Sequence, residues 1–412
     1  MDLLSSTPFS PIRYGLPSDY PGLENDATCD VVIIGAGVTG ALAALHVVEA
    51  GFSVVVLDRR DVAQGSTAGS TGFLQYEIDV PLHRLARRLG ETDAVASYHA
   101  CRDAVRHVGA LVRRLGLKAD FAPRASLLLA SRPRDEGALR REFAARERAG
   151  FSVEWWDRRA VARGSSLPHT AAILSRCGEA AEIDAYRFTH GLLAAARARG
   201  AVVCDRTTVA HTRRTARGVV LTTDRGARVR ARHLVIAAGY EADAFLPEKV
   251  TALHSTFALV SEPVAAFPGW PADRALIWET AEPYVYLRTT VDGRILLGGL
   301  DEPFRDPVAR DRLLTAKTGA LLRRFRRWFP QIGLEVAYAW AGTFARTPDG
   351  LPFIGVHAAR PHMFFALGYG GNGITFSLTA ALILRDRLLG KVNREARLFG
   401  FSRGAVSGRA EK

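Results

Sequence analysis

The feature that most constrains the fold is a glycine-rich turn between a predicted strand and a predicted helix near the start of the chain. Residues 30–34 form an apolar, β-branched run that is typical of a buried parallel strand. Gly35, Gly37 and Gly40 follow directly with the spacing G-x-G-x-x-G. Residues 41–50 then combine good helix formers with apolar spacing. This arrangement predicts that the chain opens with a strand, a tight turn and a helix.

Each position in this unit has a physical task in binding a dinucleotide. Gly35 allows the tight turn, Gly37 lets the backbone approach a pyrophosphate, and Gly40 lets the helix pack closely on the strand. The helix N-terminus offers unpaired N–H groups and the positive end of its dipole to the phosphates. A second predicted strand at 52–57 ends in Asp58, which would accept hydrogen bonds from ribose hydroxyls and repel the 2′-phosphate of NADP. The unit therefore predicts a site for FAD or NAD.

The segment after Asp58 favours FAD. Residues 65–72 read Gly-Ser-Thr-Ala-Gly-Ser-Thr-Gly, whereas a nicotinamide enzyme commonly continues with further βα units. Small and hydroxyl-bearing residues let the backbone and hydroxyl groups approach the ribityl and pyrophosphate portions of a flavin. The alternative interpretation is a flexible surface loop.

A second glycine cluster near the carboxyl end repeats the spacing. Residues 368–373 satisfy G-x-G-x-x-G between a predicted strand at 364–367 and a predicted helix at 374–389. A second dinucleotide site would need another strand ending in an acidic residue, and residues 389–394 offer none. We therefore expect one cofactor that faces two helix N-termini, with a plain helix-ending turn as the alternative.

Composition excludes several classes of protein. The 412 residues are 48% hydrophobic and 24% charged, which excludes a disordered chain, a collagen and a small disulfide scaffold. The net charge of +13 raises nucleic acid as a partner, but the basic residues, all but five of them arginine, are scattered rather than clustered. We expect no specific nucleic-acid partner. The four cysteines form no CxxC pair, so we expect no metal site. No secretory signal and no transmembrane run is evident, and the expected compartment is the reducing cytoplasm.

Taken in order, the motifs resemble the FAD-dependent oxidoreductase superfamily of D-amino acid oxidase, glycine oxidase and sarcosine oxidase. The likeness runs from about residue 28 to 395. The matching segments are 30–40, 58, 64–74, 178–187, 235–239, 340–355 and 368–375. The continuation Leu74–Asp79 (Leu-Gln-Tyr-Glu-Ile-Asp) resembles a bacterial subgroup of this superfamily.

The resemblance implies an α/β fold. A discontinuous Rossmann-type FAD-binding domain would carry an inserted α+β substrate domain built on an antiparallel sheet, in agreement with the alternating runs at 251–301. The predicted boundaries are a lead-in over 1–27, FAD-binding segments over 28–95, 181–244 and 336–395, substrate segments over 96–180 and 245–335, and a C-terminal tail over 396–412.

The resemblance also implies noncovalent FAD, because no cysteine lies in a motif that would face the flavin. The second helix start would lie at the N1/C2=O edge of the flavin, where the reduced ring gathers negative charge. The predicted FAD-binding residues are Gly35, Gly37, Val38, Thr39, Gly40, Asp58, Arg59, Gly65, Ser66, Thr67, Ser70, Thr71, Gly72, Leu74, Val209, Ala238, Gly239, Gly342, Gly371, Asn372, Gly373, Ile374 and Thr375.

On the substrate side the chain departs from the pattern of its relatives. In glycine and D-amino acid oxidases an arginine in this stretch binds the substrate carboxylate bidentately. Here residues 341–345 read Ala-Gly-Thr-Phe-Ala, so Phe344 stands in the place of that arginine. Either Arg346 or Arg288 replaces it, or the substrate is an amine without a carboxylate.

The remaining candidates for a catalytic role come from strand alternation and from isolated polar residues. Alternation in residues 284–288 places Tyr284, Tyr286 and Arg288 on one face, which would line either a substrate pocket or a solvated surface. Glu77 and His254 are further candidates, with a purely structural role as the alternative for each.

The activity implied by the resemblance is oxidation of the C–N bond of an amine or amino acid. Hydride would pass to flavin N5, the imine would hydrolyse, and oxygen or an electron carrier would reoxidise the flavin. The alternatives are a tRNA-modifying flavoenzyme, a flavin-storage protein, and a quinone-linked dehydrogenase at a membrane surface. The last would use the basic amphipathic segment 313–329, for which a surface helix is the plainer interpretation.

Overall fold

The computed structural model describes residues 2–405, which form two sheets and eleven α-helices. The strands are β1 (Leu4–Ser5), β2 (Ala27–Ile34), β3 (Val54–Leu57), β4 (Phe73–Gln75), β5 (Ala122–Leu129), β6 (Val153–Asp157), β7 (Ala171–Glu182), β8 (Val202–Cys204), β9 (Val209–Thr215), β10 (Gly218–Thr223), β11 (Arg228–Ile236), β12 (Ala252–Ser261), β13 (Leu276–Glu279), β14 (Val285–Thr289), β15 (Ile295–Pro303), β16 (Val336–Arg346), β17 (Phe353–His357) and β18 (Arg360–Leu367). The helices are α1 (Phe9–Tyr14), α2 (Val38–Glu49), α3 (Leu82–Leu89), α4 (Glu91–Leu115), α5 (Glu136–Arg148), α6 (Arg158–Gly164), α7 (Ala185–Arg197), α8 (Pro307–Arg312), α9 (Leu314–Trp328), α10 (Gly373–Leu388) and α11 (Ala396–Phe399).

The eight-stranded sheet is the nucleotide-binding layer. Its order is β17-β18-β11-β2-β3-β8, with β10 on β11 and β9 on β10, and the pairs from β18 to β8 are parallel. Side chains of β2 alternate between two buried faces, with Val31 and Ile33 in the core beneath α2 and α10 and Val32 in the core on the other side. Burial on both faces explains why this strand is a continuous apolar run.

The ten-stranded sheet is the second layer of the molecule. Its order is β1-β16-β12-β15-β14-β13-β5-β7-β4, with β6 on β7, and its described pairs are antiparallel except β5 with β13. This mixed architecture confirms the predicted α/β class, with one sheet whose central pairs are parallel and a second sheet that is largely antiparallel.

Helix α9 belongs to the core of the second layer. Leu321, Phe325, Trp328 and the following Phe329 are buried against the ten-stranded sheet. The apolar face that a membrane-surface role would need is therefore covered by protein. Within the described residues, no helix is both long and apolar enough to cross a bilayer.

The predicted lead-in needs correction, because much of it is structural. β1 pairs with β16 at the edge of the ten-stranded sheet, with Leu4 opposite Gly342. Leu3, Phe9 and Tyr20 are buried. A two-residue strand has too few positions to show a period in the sequence.

The predicted internal boundaries also differ from sheet membership. β4 and β16 fall within the segments assigned to FAD binding, yet both are strands of the ten-stranded sheet. Most of α4 was assigned to the substrate domain, whereas its buried face packs into the same core as α2 and α10. The chain thus passes from one sheet to the other at points that differ from the predicted boundaries.

The predicted C-terminal tail is packed over its first part. Leu398 and Phe399 are buried, and the Phe401 ring stacks on Phe353 with centroids 5.0 Å apart. The Arg403 Nε donates to Asp349 at 2.7 Å. Residues 406–412 of that prediction lie outside the described residues.

Candidate functional site

A cavity of about 700 Å³ is lined by both sheets. At one end lie the turn after β2, the end of β3 and the loop at 65–71. At the other end lie residues next to or within β14 and β16. A cavity of this size, with polar groups converging on it, is the expected form of a cofactor site.

The first glycine turn is fixed by close backbone approaches. Gly35 has φ +111°, and a Cβ there would overlap the carbonyl oxygen of Ala237. A Cβ on Gly40 would overlap the carbonyl oxygen of Gly35, so this glycine lets α2 pack against the turn. A Cβ on Gly37 would lie 3.0 Å from Thr67 Oγ1, on the wall of the cavity. The turn leaves a cradle at the start of α2 that any side chain would fill.

Asp58 closes this end of the cavity. Its Oδ2 accepts the Ala36 N–H at 2.7 Å, and its Oδ1 accepts the Arg60 N–H at 2.9 Å. Burial raises the pKa of Asp58, against the opposing effect of these two hydrogen bonds. The carboxylate thus stabilises the glycine turn through these hydrogen bonds. Each of its oxygens keeps a lone pair that could accept a hydrogen bond from a ribose hydroxyl.

The loop between β3 and β4 connects the two ends of the cavity. Thr67 Oγ1 accepts the Val38 N–H at 3.1 Å at the start of α2, and Thr71 Oγ1 donates to the Tyr286 hydroxyl at 3.2 Å. Gly72 has φ +65°, and a Cβ there would overlap the Ile183 carbonyl oxygen. The loop is therefore held in place rather than free at the surface.

The second glycine cluster lies at the start of α10. The Asn372 side chain donates from Nδ2 to the carbonyl oxygens of Glu77 at 2.8 Å and of Gln75 at 3.2 Å. These bonds tie the helix start to the segment after β4. Gly371 and Gly373 line the cavity, so the N-terminus of α10 faces it as α2 does.

Most predicted FAD-binding residues line this one cavity. Those that do are Gly35, Gly37, Val38, Thr39, Asp58, Arg59, Gly65, Ser66, Thr67, Ser70, Thr71, Val209, Ala238, Gly239, Gly342, Gly371, Gly373 and Ile374. Gly40, Gly72, Leu74, Asn372 and Thr375 lie outside the lining. Two helix starts and a glycine cradle on one cavity fit the phosphates and the flavin of a single FAD.

The opposite wall of the cavity is aromatic and charged. Tyr284, Tyr286 and Phe344 line it, together with Arg346. Burial raises the pKa of Tyr286 to about 12 and holds that of Tyr284 well above its ordinary value, so both hydroxyls remain protonated at neutral pH. Tyr284 and Tyr286 thus line the same cavity, whereas Arg288, predicted on the same face, does not.

Arg346 is surrounded by acidic side chains. Its Nη2 donates to Asp301 Oδ2 at 3.2 Å, and its Nη1 lies 3.6 Å from Glu282 Oε1. Burial raises the pKa of Asp301 to about 6. Asp79 is also on the cavity wall and accepts the Gly371 N–H at 3.0 Å. Sequence reasoning did not single out these acids, since no local pattern places them together.

Three predicted catalytic candidates do not line the cavity. Arg288 is buried and donates from Nε to the Thr71 carbonyl oxygen at 2.6 Å. Glu77 is fully buried and pairs with Arg146 at 3.1 Å. His254 is half-buried, with its ring 5.6 Å from that of Phe344. Arg288 and Glu77 are therefore buried behind the residues that line the cavity, where they stabilise the surrounding structure.

Among the described residues, no group of histidine, cysteine, aspartate and glutamate side chains is arranged to hold a metal ion.

Comparison with known proteins agrees with this geometry. The chain is 27% identical over 388 residues to gamma-glutamylputrescine oxidoreductase of Escherichia coli, covering 91% of this chain and 87% of that protein. The crystal structure of glycine oxidase from Geobacillus kaustophilus has a TM-score of 0.75 at 21% identity and covers 90% of this chain and 98% of that one. An L-amino acid deaminase from Proteus myxofaciens has a TM-score of 0.76 at 15% identity, covering 94% and 96%. These two structural matches establish the fold.

The family assignment comes from a match over most of the chain. The sequence model of the DAO family, described as FAD dependent oxidoreductase, matches residues 30–387. Its span takes in both glycine clusters, Asp58 and the aromatic wall of the cavity. The chain belongs to the DAO family of FAD-dependent oxidoreductases, and FAD is its cofactor.

Proposed function

We propose that the protein oxidises the C–N bond of an amine or amino acid to an imine, which hydrolyses to a carbonyl compound. The observation that carries the proposal is one cavity with FAD-binding residues at one end and a wall of Tyr284, Tyr286, Phe344 and Arg346 at the other. The names of two relatives, gamma-glutamylputrescine oxidoreductase and glycine oxidase, support the same class of substrate.

In this proposal, each residue around the cavity has a role that follows from its position. When bound, FAD supplies the two-electron acceptor for hydride from the substrate carbon. Gly37 leaves room for its pyrophosphate, Asp58 offers acceptors to its ribose, and the N–H groups at the start of α10 stabilise negative charge. Tyr284 and Tyr286 exclude water from the opposite wall and donate hydrogen bonds that orient the substrate.

The proposal includes noncovalent FAD and a reducing compartment. No cysteine of residues 2–405 lines the cavity, and all four cysteines are free thiols, which supports a cytoplasmic location. Oxygen or an electron carrier then returns the flavin to its oxidised form.

The test is anaerobic mixing of the purified FAD-loaded protein with primary amines, N-methyl amino acids, and D- and L-amino acids. We expect at least one class to bleach the visible flavin absorbance, and admission of oxygen or an electron carrier to restore it. A flavin that stays oxidised with every compound would contradict the proposal and favour a storage role. The Gly37→Val variant, mixed with the same compounds, controls for absorbance changes that do not involve bound flavin.

A further inference from the structure

The substrate end of the cavity carries more negative than positive groups. Asp79 and Glu282 line it, and Asp301 lies directly behind Arg346. Three carboxyl groups therefore lie around Arg346. The cavity lining also includes Arg84 and His83, with Asp135, Glu142 and Glu279 as further acids, so acidic groups still outnumber basic ones. The inference drawn from this imbalance rests on the proposed function, because it concerns the substrate of the same cavity.

Arg346 already has acidic partners of its own. Besides its contacts with Asp301 and Glu282, it feels the charge of Asp79. Burial lowers the pKa of Arg346, but these carboxylates and Tyr284 outweigh that effect and raise it. A substrate carboxylate at Arg346 would have to compete with carboxylates that are part of the protein.

Asp79, in contrast, makes no direct contact with a cationic group among the described residues, although Arg346 lies near enough to lower its pKa. It accepts one backbone hydrogen bond, from Gly371, and within the described part of the chain no Arg, Lys or His nitrogen lies within 4.0 Å of its carboxylate. Gly370 and Gly371 make room for it, since a Cβ on Gly371 would lie 2.7 Å from its Oδ1. Burial raises the pKa of Asp79, against the opposing effects of the Gly371 hydrogen bond and of Arg346.

We propose that Asp79 binds the ammonium group of the substrate, and that the substrate is a cationic amine without a carboxylate. An ammonium ion supplies the charge-assisted hydrogen bonds that a carboxylate at a cavity wall lacks. Glu282, at the rim with 82% of its side chain exposed, adds a longer-range attraction for the same cation. A zwitterionic amino acid would bring a second negative charge into this acidic end.

The test compares four ligands of one chain length by anaerobic titration of the FAD-loaded protein, with calorimetry as a readout independent of turnover. The ligands are n-butylamine, 1,4-diaminobutane, 4-aminobutanoate and neutral butyramide. We expect both amines to bind at least about 10-fold more tightly than neutral butyramide, the minimum effect of one charge-assisted hydrogen bond. Both should also bind more tightly than 4-aminobutanoate, because its carboxylate would be repelled by the acidic groups at this end of the cavity.

The variant Asp79→Asn keeps an acceptor for the Gly371 N–H but removes the charge. It should weaken amine binding roughly 10- to 100-fold, the range for hydrogen bonds to charged groups, and leave butyramide binding unchanged. Glu302→Gln is the matched control, because Glu302 lies in β15 next to Asp301, pairs with Lys317 and does not line the cavity. It should bind every ligand as the unaltered protein does.

If Asp79→Asn fails to fold, Glu282→Gln provides the second measurement. It should weaken amine binding by about 2- to 5-fold, as expected for an exposed charge. Tighter binding of 4-aminobutanoate than of butylamine would overturn the proposal and assign a substrate carboxylate to Arg346. Equal amine binding by the unaltered and Asp79→Asn proteins would also overturn it.

The panel separates this inference from the proposed function. If amino acids bleach the flavin and amines neither bind nor bleach it, the role of Asp79 is wrong and the C–N oxidoreductase remains. If no amine or amino acid bleaches the flavin, the proposed function fails.

Discussion

The two glycine clusters share one spacing but face different surroundings. In the first cluster, a Cβ on Gly35 or Gly40 would overlap backbone carbonyl oxygens. In the second, a Cβ on Gly370 or Gly371 would meet the Asp79 side chain. The same pattern therefore serves close backbone packing at one end of the cavity and makes room for a functional side chain at the other.

The largest difference in stability between the clusters is expected at the last glycine of each, Gly40 and Gly373. Gly40→Ala forces a Cβ against the Gly35 carbonyl oxygen and should lower the free energy of unfolding by about 3 kcal/mol or more. Gly373→Ala places its Cβ where no atom lies within 4 Å and should change it by less than about 1 kcal/mol. Denaturant unfolding of both variants without added FAD measures the difference. Equal losses would show that the two turns are under the same packing constraint.

The next largest effect is expected on cofactor binding. Gly37→Val fills the cradle at the start of α2 and should weaken FAD binding by at least about 100-fold, or about 2.7 kcal/mol. The flavin retained after gel filtration, read from visible absorbance, measures it. Gly333→Val is the control, because Gly333 is exposed and a Cβ there meets nothing within 4 Å. A fully yellow Gly37→Val protein would mean that the phosphates bind elsewhere.

The smallest expected effect is on the KM for an amine, and it concerns only the second glycine cluster. Gly371→Ala displaces the Asp79 carboxylate and should raise the KM for an amine by about 10-fold, the loss of one charge-assisted hydrogen bond. In an Asp79→Ala background the same substitution should add little, because the clash is gone. Additive effects in this double-mutant cycle would separate Gly371 from Asp79.

The cofactor end could be predicted from sequence because its determinants are local. Gly35 to Asp58 form one continuous βαβ unit, so the spacing of the motif is also the spacing of the contacts. The strand alternation of Tyr284 and Tyr286 is local in the same way.

The substrate end could not be predicted because its contacts join distant segments. Asp79 and Gly371 are 292 positions apart, so the glycine spacing around Gly371 does not show which side chain it meets. Strand alternation predicted that Arg288 shares a face with Tyr286. It could not predict the hydrogen bond from the Arg288 guanidinium to the Thr71 carbonyl oxygen. Phe344, interpreted from sequence as a departure from the relatives' pattern, lines the cavity, whereas no local sequence pattern places the acids around Arg346.

The order of strands in the nucleotide-binding sheet also dictates when the protein can acquire its flavin. β2 gains its neighbour β11 only after residue 236 has been synthesised, and β11 gains β18 only after residue 365. The second helix start follows later still, at Gly373. Until β11 has been synthesised, β2 therefore has one unpaired edge, and a product that stops short of α10 lacks the second helix start of the cofactor site.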